Sequence, residues 1–271
     1  MFADFARIAD VLETLPDKRL AIAFSGGVDS VTLARAAEIV LGKENVLLLF
    51  ADSCFAPSAE KAFALEWAQA RKLECIAVEF KPLAIPEIAA NNSQRCYYCK
   101  KALFSALLAE AEKRGFKVLA DGENLDDQND YRPGKAAADE LNIRHIFVEA
   151  RLNKEMIRDL AHDFALPNSQ APASACLASR IPCNTAIKPE LLEKADKAEN
   201  ILLQMGFAGS RVRIYPDMAK IEVASEDLEK FWKVRSAVLQ QFQCFNFKNI
   251  AVDLAGYKRG AVNGSENAGQ Q

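Results

Sequence analysis

Leu20-Ala21-Ile22-Ala23-Phe24-Ser25-Gly26-Gly27-Val28-Asp29-Ser30 runs from five apolar residues straight into a glycine turn that carries two hydroxyls. A strand that hands over to a helix through such a turn is where an open α/β sheet binds phosphate. The two glycines let the backbone approach an anion, the N–H groups at the helix start point at it, and Ser25 and Ser30 add hydroxyl donors. The stretch is not a Walker A loop, which ends in Gly-Lys-Ser/Thr and sets its lysine on the β- and γ-phosphates. Here the turn holds an acid, Asp29, and no lysine. Nucleotide binding by Ser25, Gly26, Gly27, Asp29 and Ser30 is the leading reading, against the plain alternative of an ordinary strand-to-helix turn.

Outward from this stretch, apolar runs at 20–24, 45–51, 73–79, 117–120 and 144–148 alternate with helical patterns at 30–41, 59–71, 100–114 and 153–164. That alternation predicts an α/β fold with a doubly wound parallel sheet. Continuous runs such as Val46-Leu47-Leu48-Leu49-Phe50 suit strands buried on both faces. Asp52 and Ser53 then fall at a strand's carboxyl end, where nucleotide specificity is set. After Pro182 the pattern changes to a helix over 188–205, a hairpin of 211–215 and 219–224 around Pro216-Asp217, a helix over 226–241 and a strand over 249–254. The expected organisation is a nucleotide-binding domain over 1–182, a small α+β domain over 183–260 and a disordered tail over 261–271, where Gly, Asn, Ser and Gln leave almost nothing to bury.

The chain has 271 residues, half of them hydrophobic, enough for a buried core. Its 34 basic residues against 37 acidic ones give a formal charge of −3 with no basic block, which argues against a nucleic-acid partner. The N-terminal segment lacks the basic start and unbroken apolar stretch of a signal peptide, and no segment reads as a membrane span. A cytoplasmic protein without a membrane partner is expected, and there seven cysteines read as thiols, metal ligands or catalysts rather than a disulfide framework.

Cys96-Tyr97-Tyr98-Cys99 sets two thiols at a spacing that reaches one metal or lets them reach each other, just before the helix expected from about Lys100. The chain has only two histidines, His145 and His162, and no second Cys-x-x-Cys, so a tetrahedral zinc site would need further thiols. Cys176, in a Pro- and Ala-rich loop, is the natural third member. Three cysteines can hold three irons of a [4Fe–4S] cluster and leave the fourth open. A redox dithiol, zinc and plain structural thiols are the alternatives. Cys54, Cys75 and Cys244 lie in or next to apolar patterns and read as core residues, and Cys183 takes no role from the sequence.

Ser-Gly-Gly-x-Asp-Ser resembles the PP-loop of ATP pyrophosphatases, which cut ATP between the α and β phosphates. With it, Asp121-Gly122-Glu123-Asn124-Leu125-Asp126-Asp127, Asp130-Tyr131-Arg132-Pro133-Gly134, Ala175-Cys176-Leu177-Ala178-Ser179-Arg180-Ile181-Pro182 and Arg211-Val212-Arg213 resemble the LarE family of sulfur transferases in nickel-pincer cofactor biosynthesis. The resemblance runs over nearly the whole chain, to about residue 262, and implies a sheet of the PP-loop ATP pyrophosphatase type. The implied reaction adenylates the carboxylates of pyridinium-3,5-biscarboxylic acid mononucleotide with ATP and Mg²⁺ and converts them to thiocarboxylates.

It further implies nucleotide contacts from Gly122 and Asp126 beside Asp52 and Ser53, with Asp29 and Asp126 on Mg²⁺. Cys176, Asp29 and Arg180 take catalytic roles, and Ser179, Arg180 and Glu199 lie near the reactive cysteine. Arg211 and Arg213, two apart on a strand, share a face and form a fork for the substrate phosphate, the alternative being a solvated strand face. Tyr97 stacks on the pyridinium or lids a metal site. Glu123, Asp127 and Asp130 read as site carboxylates or as a solvated acidic loop. One branch of the family sacrifices the sulfur of a single cysteine matching Cys176. This chain, with Cys96 and Cys99 in addition, resembles the branch that holds a [4Fe–4S] cluster on three cysteines and takes sulfide or another sulfur donor. Family members form homo-oligomers.

Three rivals are separable. A tRNA thiolase also combines a PP-loop with three cluster cysteines but needs a basic face. An NAD synthetase gives no reason for Cys96, Cys99 and Cys176. A non-enzymatic iron–sulfur or zinc sensor would bind ATP without releasing pyrophosphate.

Overall fold

The computed structural model describes residues 2–129, 133–172 and 175–257. Asp130, Tyr131 and Arg132, and the expected tail at 261–271, lie outside the described residues. The described residues fall into two units, one drawn from Met1–Ile88 and Gln94–Ala173 and the other from Ala89–Ser93 and Ser174–Gln271.

In chain order the first unit carries α1 (Phe2–Glu13), β1 (Leu20–Ala23), α2 (Val28–Leu41), β2 (Val46–Asp52), α3 (Ser58–Arg71), β3 (Glu74–Glu79), α4 (Pro86–Ala89, ending at the boundary), α5 (Arg95–Lys113), β4 (Leu119–Ala120), α6 (Pro133–Glu140), α7 (Ile146–Glu149) and α8 (Lys154–Asp163). The four strands form a parallel sheet in the order β3-β2-β1-β4. Val46 to Phe50 are all buried because both faces are covered. Leu47 and Leu49 pack with Ala21 against Phe104, Leu107 and Ala111 of α5. Leu48 and Phe50 pack with Leu20 and Ile22 against Ile8 and Leu12 of α1, Leu33 of α2 and Ile157 of α8. Each fully buried Leu or Ile contributes roughly 1.5–3 kcal/mol, so this two-sided burial fixes the strand more firmly than its ladder does. From β1 the chain steps through β2 to β3, then returns to place β4 on the other side of β1. The carboxyl ends of β1 and β4 are therefore the switch point at which an open sheet takes a ligand.

Two expectations change here. Of 144–148, read as a strand, only Arg144 pairs, through one parallel bridge to Ala120. The chain then coils into α7, which sends the consecutive residues Ile146 and Phe147 into one core, whereas a strand would split them between two faces. The helix expected from Lys100 starts at Arg95, because the Gln94 carbonyl already accepts from the Tyr97 and Tyr98 N–H groups. Cys96 and Cys99 lie inside it.

The second unit carries α9 (Pro189–Gln204), β5 (Arg211–Tyr215), β6 (Met218–Glu222), α10 (Leu228–Lys233), α11 (Arg235–Phe242) and β7 (Asn249–Val252). β5 and β6 are antiparallel across Pro216-Asp217, and β7 joins β6 in parallel. The single helix expected over 226–241 is broken at Val234, where the Arg235 guanidinium takes the Trp232 carbonyl. Among the described residues no helix is long and apolar enough to cross a membrane.

Candidate active site

The turn after β1 is wrapped by its own hydroxyls. The Ser25 N–H donates to Ser30 Oγ (3.3 Å), the Gly27 N–H to Ser25 Oγ (3.3 Å) and Ser30 Oγ–H to the Gly27 carbonyl (3.1 Å). Gly26 has φ +80°, and a Cβ there would stand 2.8 Å from Ala64 Cβ, so only glycine fits. Asn168 Nδ2 donates to the Gly26 carbonyl (3.0 Å) and pins the turn from the loop after α8. Gly27 differs: a Cβ there would meet nothing nearer than Ser25 Oγ at 3.4 Å. The space over Gly27 is open at the start of α2, where the first N–H groups have no intrahelical acceptor and the dipole is positive. This cradle fits a phosphate chain.

Asp29, in the first turn of α2, is held by a lysine that sequence reasoning did not single out. Lys154 Nζ lies 2.5 Å from both Asp29 carboxylate oxygens, and the Lys154 backbone N–H donates to Asp126 Oδ2 (2.9 Å). One residue at the start of α8 thus joins the two acids expected to hold Mg²⁺. Burial pushes the Asp29 pKa up, and the Lys154 ammonium offsets only part of that. The Asp126 N–H donates to Asn124 Oδ1 (3.1 Å), and Asn124 Nδ2 donates to Asp127 Oδ2 (2.8 Å), so this acidic loop is bonded into a fixed shape. Gly122 brings it against α2, since a Cβ there would lie 3.0 Å from Asp29 Cβ and 3.1 Å from the Ser30 nitrogen. Glu123 departs from the solvated reading, because its Oε1 is buried.

At the carboxyl ends of β2 and β3, Asp52 and Ser53 line an open pocket of about 320 Å³ together with Phe80, Pro82 and Leu83. Lys61 pairs with Asp52 (2.6 Å), and Ser53 Oγ accepts from the Phe55 N–H (3.2 Å). Cys54 also lines this pocket and is exposed, as is Cys244, so neither is the core residue expected. Cys54 occupies the turn beyond β2, and Cys244 the turn after α11, where its thiol bonds the Gln241 carbonyl (3.3 Å). Cys75 is partly buried against the core.

Cys96 and Cys99 stand three apart on α5 and therefore share a face. Arg95 Nη2 reaches Cys96 Sγ (3.5 Å). Between the thiols, the Tyr97 hydroxyl donates to Glu140 of α6 (2.9 Å) and accepts from Lys101 (3.0 Å), which ties the motif to the neighbouring helix. None of the seven cysteines is in a disulfide. Two thiols on one helical face are donors of the kind that hold an iron–sulfur cluster or another thiophilic metal.

In the second unit, Cys176 precedes a tight turn at Leu177–Arg180 whose architect is Arg180, only 2% exposed. Its guanidinium grips Glu199 in two bonds of 2.8 Å, and Nη1 donates to the Ala175 carbonyl (2.8 Å), the Cys176 carbonyl (3.2 Å) and Ser179 Oγ (2.9 Å). Ser179 Oγ–H also donates to the Cys176 carbonyl (2.8 Å), and Glu199 accepts from the Val212 N–H of β5 (2.9 Å). Arg213 Nη1 donates to the Ser179 carbonyl (2.7 Å), while Nε and Nη2 bind Glu222. Arg211 lies over the Tyr257 ring and donates to the Gly209 and Ser210 carbonyls. Both arginines are buried, so the solvated strand face is excluded. Arg180 and Arg213 fix the backbone at Cys176.

Asn91, also not singled out from sequence, is fully buried at φ +56° and donates to the Pro182 (2.8 Å) and Thr185 (3.0 Å) carbonyls. A buried asparagine in the left-handed region is a signal only once its burial is known.

No protein-family model matches the chain. It is 32% identical over 256 residues to the pyridinium-3,5-bisthiocarboxylic acid mononucleotide synthase of Lactiplantibacillus plantarum, covering 94% of this chain and 93% of that protein. It is 35% identical over 251 residues to an uncharacterized protein of Synechocystis, covering 90% and 92%. An uncharacterized protein of Methanocaldococcus jannaschii is 30% identical over 253 residues, covering 91% and 93%.

Proposed function

The chain belongs to the LarE family of the Lactiplantibacillus plantarum synthase, and on that premise we propose that it is a sulfur transferase of nickel-pincer cofactor biosynthesis. Its substrate is pyridinium-3,5-biscarboxylic acid mononucleotide, and its product carries thiocarboxylates. The observation that carries this is the 32% identity to a named synthase over 94% of the chain.

A carboxylate is a poor electrophile and oxide a poor leaving group. In the proposed reaction a substrate carboxylate oxygen attacks the α-phosphorus of ATP, pyrophosphate leaves, and an acyl adenylate forms. Sulfide then attacks the acyl carbon and AMP departs with the anhydride oxygen. The N–H groups at the start of α2, with Ser25 and Ser30, bind the departing pyrophosphate. Lys154 releases Asp29 and moves its ammonium onto that phosphate. Asp29 and Asp126 hold Mg²⁺, and Asp52 and Ser53 contact the nucleoside. Arg180, Ser179 and Glu199 position Cys176, and Arg211 engages the substrate phosphate. A [4Fe–4S] cluster on Cys96, Cys99 and Cys176 supplies, when bound, the transferable sulfide.

Anaerobic assays with ATP, Mg²⁺, sulfide and the dicarboxylate mononucleotide test this. One AMP and one pyrophosphate per thiocarboxylate are expected, dependent on the dicarboxylate. ADP and orthophosphate as products, or pyrophosphate release without that substrate, would overturn the assignment.

A further inference from the structure

We propose that Asn168 is a positioning residue of the phosphate loop: it locks the Gly26–Gly27 peptide so that the Gly27 N–H faces the ligand, and Arg158 of α8 in turn locks Asn168. The proposal rests on the reading of that turn as the pyrophosphate cradle, and it assigns the cradle's preorganisation to a residue 142 positions away.

The C=O and N–H of a trans peptide point in opposite directions, so whatever holds one aims the other. Rotation of the 26–27 peptide turns ψ of Gly26 and φ of Gly27, and with no Cβ on either residue sterics offer it little resistance. The next peptide needs no outside help, because the Gly27 carbonyl accepts from the Val31 N–H (3.0 Å) and from Ser30 Oγ–H (3.1 Å). Among the described residues the 26–27 peptide has two bonds, the Gly26 carbonyl accepting from Asn168 Nδ2 at 3.0 Å and the Gly27 N–H reaching Ser25 Oγ at 3.3 Å. The second is long, and it is the one a phosphate oxygen replaces. The bond to Asn168 then sets the direction of the N–H.

Asn168 is 8% exposed, and its Oδ1 is buried with no hydrogen-bond partner among the described residues. A buried acceptor left unpaired costs free energy, so the amide sits here for the bond it donates and not for one it receives. Its backbone is fixed from both sides. Leu166, buried in the core, returns its N–H to the Ala161 carbonyl (2.9 Å), and the Ala171 N–H donates to the Asn168 carbonyl (2.9 Å). The Arg158 guanidinium then donates through Nη1 to the Ser169 carbonyl (2.9 Å) and through Nη2 to the Ala171 carbonyl (2.8 Å). Arg158 and Lys154 are one turn apart on α8 and share a face, and Lys154 is the residue that binds Asp29. A ring of contacts closes, from Gly26 to Asn168, through Arg158 to α8, and through Lys154 back to Asp29. One helix thus braces the turn at both of its ends.

Calorimetric titration of pyrophosphate with Mg²⁺ into the full-length protein, well below its melting temperature, tests this. Asn168→Ala removes the donor and should weaken pyrophosphate binding about three- to tenfold, the effect of one hydrogen bond. Arg158→Lys keeps the charge but replaces the planar fork by a single ammonium, and should weaken binding about threefold. Because Arg158 acts through Asn168, Arg158→Lys should add nothing in the Asn168→Ala background. A residue that only stabilised the fold would lower the melting temperature and leave these affinities unchanged. Gly27→Val separates the proposal from its premise. If Gly27→Val binds pyrophosphate as the wild type does, the reading of the turn falls and takes this proposal with it. If Gly27→Val loses binding while Asn168→Ala keeps the wild-type affinity, the proposal alone is overturned, and additive losses in the double variant overturn the link to Arg158. Should Asn168→Ala not fold, Arg158→Lys decides, and wild-type affinity there overturns the proposal.

Discussion

Gly26 and Gly27 are adjacent in sequence and differ in what they tolerate. Gly26→Ala places a Cβ 2.8 Å from Ala64 at φ +80°, so it should destabilise the fold by about 1–3 kcal/mol, read as a lower melting temperature. At Gly27 an added Cβ meets nothing nearer than Ser25 Oγ at 3.4 Å, so Gly27→Val should fold and melt near the wild type while pyrophosphate release is lost. A Gly27→Val enzyme that still releases pyrophosphate at the wild-type rate would remove the phosphate from this loop. The hydroxyl-wrapped shape of this turn was legible in the sequence because Ser25, Gly27 and Ser30 lie within six residues, whereas Asn168 and Ala64, which hold Gly26 from elsewhere in the chain, were not. Lys154 was not, because it stands 125 residues from Asp29 and meets it only through the fold. Lys154→Met should slow pyrophosphate release by about ten- to a hundredfold, the worth of one charge-assisted phosphate contact of about 1.5–3 kcal/mol. Single-turnover quench measurements check this, and an unchanged rate would leave Lys154 as a mere partner of Asp29.

Among the elements, β2 was readable because five successive apolar residues admit only two-sided burial, and α7 was misread because Arg144-His145-Ile146-Phe147-Val148 carries no such constraint until its partners are known. The hairpin of β5 and β6 was read within one or two residues, yet the bonds that hold Arg213 were not, since its acceptors lie on the facing strand, at Glu222, and in the turn after Cys176, at Ser179. Arg213→Ala leaves Glu222 with Lys220 as its remaining cationic partner and should cost about 1.5–3 kcal/mol, seen as a lower melting temperature of the second unit. Burial alone would raise the Glu222 pKa, but Arg213 and Lys220 hold it below the usual carboxylate range. The stability from this pairing is therefore complete above about pH 4.3 and is lost as the pH falls through the lower folded value. Melting temperature between about pH 5 and pH 3 should fall more steeply for the wild type than for Glu222→Gln, and parallel curves would count against it. Asn91 joins the short segment before α5 to the loop after the Cys176 turn, with the Asn184 N–H donating back to its carbonyl (2.9 Å). Asn91→Ala should cost about 1–3 kcal/mol and speed hydrogen exchange over residues 181–187, and protection equal to the wild type there would deny it that role.

At the scale of the whole chain the open question is whether the polypeptide outlives its reaction. The match to a named synthase over 94% of this chain fixes the family, but it leaves two ways to supply sulfur. If Cys96, Cys99 and Cys176 are all engaged as ligands, no thiol is free to be consumed, and the donated atom comes from outside the chain. Two features favour that route: Cys96 and Cys99 share one face of α5, and the Cys176 backbone is clamped by Arg180 and Ser179 in a way that serves a fixed ligand. The expected result is more than one thiocarboxylate per chain when sulfide is supplied anaerobically. Cys96→Ala, Cys99→Ala and Cys176→Ala should each lose iron, visible absorption and activity together. The sacrificial route instead yields one sulfur per chain and a mass loss of about 34 Da, that of H₂S, as the cysteine becomes dehydroalanine rather than climbing the oxidation ladder. Intact mass after turnover separates them: an unchanged polypeptide supports the cluster, whereas dehydroalanine at Cys176 with Cys96 and Cys99 dispensable would end it.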